Sequence, residues 1–90
     1  MLLNNQMLLF DPWPGGSNAI IGGKRPTSSM MPTLAFNASG VELAIGASGS
    51  TRIPTALMQV IDHVFIGAES LQEAIAAGRI HAEAEQLLAD

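Results

Sequence analysis

Between Asp11 and Ser29 the chain places Pro12, Pro14, Gly15, Gly16, Gly22, Gly23 and Pro26, and this run constrains the fold more than any other feature. Each proline fixes φ and lacks a backbone N–H, and each glycine loses more freedom than any other residue when held in a helix or strand. No regular element of useful length fits across such a stretch, so it reads as one long loop. A loop of that length inside a small domain is functional or covered by something else.

Regular structure is thereby confined to the flanks. Leu2–Phe10 reads as a strand with mixed faces that begins without a turn or cap, as a piece of a longer chain would. Thr33–Asn37 and Val41–Ile45 form an antiparallel hairpin around Ala38, Ser39 and Gly40, with the glycine supplying positive φ. Gly46–Ser50, GASGS, then leads into a helix capped by Ser50 or Thr51, with Pro54 in the first turn, where a missing N–H costs nothing. Ile53, Ala56, Leu57, Val60, Ile61 and Val64 recur at helical spacing, and Gly67 ends the run. SLQE, Ser70–Glu73, is a capping box opening a shorter helix that turns Leu71, Ala74 and Ile75 inward and stops at Gly78. Arg79–Glu83 is expected to form a last strand and residues 84–90 a frayed, helical tail. The expectation is a single α/β domain over residues 1–90, with antiparallel strands and two helices.

A 90-residue chain buries only about 60–65% of its unfolded surface, so the core must be thin. Yet 48% of its residues are hydrophobic and the mean hydropathy is +0.30, more apolar than a small soluble domain needs to cover itself. Some faces are therefore expected to be covered, by the rest of a larger protein or through self-association. Four Lys and Arg against eight Asp and Glu argue against a nucleic-acid footprint. The absence of cysteine rules out disulfides and thiolate metal sites and leaves the compartment open. MLLNNQMLLF lacks a basic n-region, and its apolar residues are interrupted by Asn4, Asn5 and Gln6, so it is no signal peptide. No apolar run reaches membrane-spanning length.

Few residues carry chemistry. His63 and His81 have no second histidine at helical spacing and read as packed or solvated, so no metal site is expected. Neither glycine pair of the loop is followed by a lysine at phosphate-loop spacing, and no cofactor is implied. Met30 and Met31 read as core filler. GASGS is different, because a small-residue turn from a strand into a helix N-terminus exposes backbone N–H groups that stabilise an anion or a developing oxyanion. An ordinary strand-to-helix turn has the same sequence, and both readings stand. Ser28 and Ser29, between Pro26 and Pro32, divide the same way: they bind a carboxylate with Lys24 or Arg25 nearby, or they satisfy loop backbone.

GKRPTSSMMPTLAF, GASGSTRI and AIAAGRIHAE, in that order after NNQM, resemble the C-terminal part of the small subunit of γ-glutamyltransferases (γ-glutamyltranspeptidases). The resemblance covers nearly the whole chain. It implies part of the αββα sandwich of N-terminal-nucleophile hydrolases, which cleave themselves to expose a threonine that attacks the γ-glutamyl amide, its own α-amine acting as base. By the same resemblance Ser28 and Ser29 match the serine pair on the substrate α-carboxylate, and Gly49 and Ser50 match the glycine pair whose N–H groups form the oxyanion hole. Gln6 matches a residue near the substrate amino group.

The chain departs from the family pattern where the family's NNQM is followed by two aspartates, since Leu8 and Leu9 stand there and cannot pair with an α-ammonium group. LLFDPWPGGSNAI looks closer to a divergent branch associated with acylase or amide-hydrolase activity, implying an acyl group without that ammonium. Ser50 replaces the second glycine, which requires an allowed backbone conformation there. Ala82 and Glu83 stand where HQ is usual. Thr27, Thr33, Thr51 and Thr55 are internal and none follows a recognisable processing site, so the 90 residues alone are expected to be inactive. The expected partners are a small γ-glutamyl or related acyl amide, the remainder of a parent enzyme and a second copy through an exposed apolar face. The alternative is a non-catalytic module that binds a small carboxylate or another protein chain.

Overall fold

The computed structural model describes residues 3–89; Leu2 and Asp90, which end the expected first strand and the tail, lie outside them. The chain forms β1 (Thr33–Asn37), β2 (Gly40–Ile45), α1 (Ile53–Phe65), α2 (Leu71–Ala76), β3 (Ile80–Glu83) and β4 (Gln86–Ala89), with 3-10 turns at Gln6–Leu9 and Ser50–Arg52. Antiparallel strands and two helices are thus present as expected. The strands make two separate two-stranded sheets, β1–β2 and β3–β4, so the described residues hold hairpins and helices rather than a completed four-layer sandwich.

The β1–β2 hairpin pairs Thr33 with Ile45 and Asn37 with Gly40, and Gly40 takes φ +125° as the turn demands. The Asn37 side chain accepts from the Ser39 N–H at 2.8 Å, which helps fix the reversal. A register shift between Ala35 and Phe36 bulges the pair.

On α1 the helical spacing buries Ile53, Leu57 and Val60, with Leu57 1% exposed, while Ala56, Ile61 and Val64 are half-buried. Ala74 of α2 is fully buried, and α1 packs on both α2 and β3. Phe10 and Ala19 are the other buried apolar residues, at the base of the long loop, where Asp11 and Ala19 form an isolated parallel bridge. Asn18 and Thr27 both donate to the Leu9 carbonyl, at 2.7 and 3.2 Å, and Lys24 donates to the Ser17 carbonyl. These polar ties give the proline- and glycine-rich stretch a defined course without strand or helix.

Several expectations are corrected. The first segment is a 3-10 turn, not a strand: the Asn4 side chain accepts from the Gln6 N–H at 2.7 Å, and this local bond competes with extended backbone. The tail is not helical: after a turn at Ala84 and Glu85 it forms β4, paired to β3 with His81 opposite Leu88. Neither Ser50 nor Thr51 caps α1 by its side chain; a 3-10 turn runs into the helix instead. The left-handed residue after α1 is Ala68, at φ +54°, whereas Gly67 is needed for space, because a Cβ there would lie 2.8 Å from the His63 carbonyl oxygen. The capping box of α2 forms in full, and Ala74 faces inward, but Leu71 and Ile75 remain largely exposed along the outer side of the helix. Met30 and Met31 are exposed rather than core residues.

Candidate functional site

Three stretches far apart in sequence meet around one open cavity of about 500 Å³. The N-terminal turn contributes Asn4, Asn5, Gln6, Leu8 and Leu9; the loop contributes Ser28, Ser29 and Met30; the entry to α1 contributes Ser50 and Ile53. The fold thus brings together Gln6, Ser28, Ser29 and Ser50. Leu8, Leu9, Met30 and Ile53 give the cavity an apolar side, and hydroxyl and amide groups give it a polar one. No charged side chain lines it among the described residues.

Both loop serines line the cavity, and Ser28 also serves the loop backbone. Ser28 Oγ accepts from the Met30 N–H at 3.2 Å, so it satisfies loop backbone, and it still lines the cavity. The basic pair does not join them there: Lys24 is engaged with the Ser17 carbonyl, and neither it nor Arg25 lines the cavity. Lys24 and Arg25 adjoin the serines in sequence only, and the loop carries them elsewhere.

The Gly49–Ser50 turn is unusual in its backbone. Gly49 has φ +125° and Ser50 φ +53°, the latter in the left-handed region that costs an L-residue about 1–2 kcal/mol. Serine is therefore accommodated where glycine would sit more easily. Arg52 N–H donates to the Gly49 carbonyl at 3.0 Å, closing the turn. Among the described residues no hydrogen bond occupies the amide N–H of Gly49 or of Ser50. Gly49 does not line the cavity shared by Ser50 and the serine pair; it borders a second one, of about 400 Å³, with Gly46, Arg52 and Arg79.

Behind this turn lies a set of polar contacts. Thr51, Thr55 and Gln59 recur every fourth residue, so they share one face from the 3-10 turn into α1. Thr51 Oγ1 donates to Glu83 Oε1 at 3.0 Å, Thr55 Oγ1 lies 2.8 Å from His81 Nδ1, and Gln59 bonds the backbone of Ile80. Sequence reasoning named Thr51, Thr55, His81 and Glu83 without joining them to one another, and it left out Gln59. The spacing of 51, 55 and 59 was visible, but their partners come from a strand that only tertiary structure brings near. The His81 ring is 11% exposed, with Nε2 buried, without a hydrogen-bond partner among the described residues and 3.8 Å from Glu83 Oε2. His63, the other histidine, pairs with Glu69 at 3.0 Å in the turn between the helices. Among the described residues no helix is long and apolar enough to cross a membrane.

The sequence profile described as Gamma-glutamyltranspeptidase matches residues 1–89. The acylase ACY 1 proenzyme of Pseudomonas sp. strain SE83 is 39% identical over 83 residues, 92% of this chain and 15% of that protein. The glutathione hydrolase proenzyme of Bacillus subtilis strain 168 is 38% identical over 82 residues, 90% of this chain and 14% of that protein. The gamma-glutamyltranspeptidase of Pseudomonas nitroreducens complexed with L-DON superposes with a TM-score of 0.84 at 38% identity, covering 91% of this chain and 48% of that one. The chain thus spans about 15% of the length of these curated relatives. With sequence and three-dimensional likeness agreeing over nearly all of its residues, the chain belongs to the gamma-glutamyltranspeptidase family.

Proposed function

We propose that these residues form the acyl-binding and oxyanion-stabilising segment of a γ-glutamyltransferase-like N-terminal-nucleophile amidohydrolase. The observation that carries this reading is the single cavity lined jointly by Gln6, Ser28, Ser29 and Ser50. In this reading Ser28 and Ser29 donate hydroxyl protons to a carboxylate at one end of the acyl group. The unoccupied amides of Gly49 and Ser50 donate to the oxygen that becomes negative as the amide carbon turns tetrahedral, and donors held in place before the reaction need no reorganisation. Gln6 contacts the acyl chain beyond the serines.

Leu8 and Leu9 set the substrate class. With no carboxylate on the cavity wall among the described residues, an α-ammonium group would lose hydration without gaining a counter-charge. The acyl donor is therefore a dicarboxylic half-amide that carries a glutaryl-type acyl group in preference to γ-glutamyl. Titrating glutarate and L-glutamate into the ¹⁵N-labelled chain tests this at the Ser28, Ser29 and Ser50 amides. Glutarate should shift them at lower concentration, and preferential response to L-glutamate would overturn the reading. Hydrolysis of glutaryl and γ-glutamyl anilides by an enzyme containing this segment gives the catalytic counterpart.

In this reading the nucleophilic threonine is supplied by the rest of a parent enzyme, since Thr27, Thr33, Thr51 and Thr55 are internal. The chain alone should hydrolyse no anilide, and any turnover would contradict this. In the same reading residues 1–90 act as a single unit whose exposed Ile66, Leu87 and Phe36 are covered by the rest of the parent enzyme. Without that cover the chain self-associates, and a monodisperse monomer by light scattering would count against it.

A further inference from the structure

We infer that Thr55 and His81 are positioning residues for the Gly49–Ser50 turn, linked to it through one hydroxyl proton. The inference rests on the proposed oxyanion role of that turn. Thr55 Oγ1 lies 3.1 Å from the Arg52 carbonyl oxygen and 2.8 Å from His81 Nδ1. A hydroxyl has a single proton and cannot donate to both. When Nδ1 is bare, it draws the Thr55 proton, and the Arg52 carbonyl loses that donor. When Nδ1 carries a proton, it donates to Thr55 Oγ1, whose own proton then goes to the Arg52 carbonyl.

The Arg52 backbone is the joint that matters, because its N–H closes the turn on the Gly49 carbonyl at 3.0 Å. Its carbonyl stands at the head of α1, directly before Ile53. The state of the His81 ring is thereby carried, through Thr55 and the backbone on either side of the Arg52 Cα, to the two amides proposed to stabilise the oxyanion. With both ring nitrogens protonated, the buried Nε2 faces Glu83 Oε2 at 3.8 Å, and Glu83 is itself held by Thr51. Among the described residues, the other charged side chains beside the ring are Arg52 from the 3-10 turn and Arg79 before β3, and the side chains lining its surroundings from α1 and β4 are the uncharged Thr55, Ala56, Met58, Gln59, Leu87 and Leu88.

The test is a pH titration of the ¹⁵N-labelled full chain, following the His81 ring nitrogens with the Gly49, Ser50 and Arg52 amides. The amide shifts should move with the midpoint of the His81 ring. Thr55→Val should abolish that movement while Thr55→Ser, which keeps the hydroxyl, restores it. Amides that stay still through the His81 titration in the unsubstituted chain would overturn the inference without recourse to any variant. So would unchanged movement in Thr55→Val. Should Thr55→Val fail to fold, Thr55→Ser and His81→Asn decide: coupling must survive the first and vanish in the second. Adding glutarate at constant pH separates this inference from the one beneath it. If the amides follow His81 yet ignore glutarate, the positioning link stands and the oxyanion reading falls.

Discussion

The side-chain amide of Gln59 brackets the backbone of Ile80, donating from Nε2 to its carbonyl at 2.8 Å and accepting from its N–H at 2.9 Å. In this way a helix side chain takes the place of a neighbouring strand along one edge of β3. Gln59→Leu should destabilise the chain by about 1–3 kcal/mol, since two backbone groups lose their partners at once. Urea denaturation checks the magnitude, and amide exchange at Ile80 checks the place.

Ser50 sits at φ +53°. Ser50→Gly removes the left-handed penalty and adds unfolded-state freedom, which leaves a net stabilisation of roughly 0.5–1 kcal/mol. A raised melting temperature is the expected outcome, together with unchanged chemical shifts in α1.

Glu73 accepts from the Ser70 N–H and hydroxyl, both at 2.9 Å. The backbone hydrogen bond first, and the hydroxyl second, hold its carboxyl below the ordinary glutamate range. A carboxylate favoured in the folded state contributes stability above the unfolded pKa and loses it as pH falls through the folded value. Fraying of α2 should therefore begin in acid and be visible as lost protection at Ser70 and Glu73. Glu73→Gln should remove the pH dependence.

Leu57 is the largest side chain that is fully buried. Leu57→Ala should cost about 2–5 kcal/mol, which is much of what a small domain has. Met58→Ala, one position along and 62% exposed, should stay within about 0.5 kcal/mol. A broad, early thermal transition for the first and a near-normal one for the second is the expected pattern.

Hydrophobic spacing and local chemistry determined much of this protein without tertiary help. The buried stripe of α1, the capping box at Ser70, the hairpin turn at Gly40 and the long irregular loop each depend on residues within a few positions of one another. So did the family motifs that single out Ser28, Ser29, Gly49 and Ser50. Where the competing states were also local and nearly equal in energy, the reading failed. Gln6–Leu9 became a 3-10 turn because of one Asn4 side-chain bond, and the last residues became β4 because β3 offered a partner.

Tertiary structure alone decided what depends on distance in space. It gathered Gln6, the serine pair and Ser50 around one cavity, kept Lys24 out of its wall, and set His81 against Thr55, 26 positions away. The reason is physical: side-chain hydrogen bonds act over about 3 Å. Which side chains come within that range is fixed only once α1 has buried Ile53, Leu57 and Val60 and turned its Thr51, Thr55 and Gln59 face toward β3.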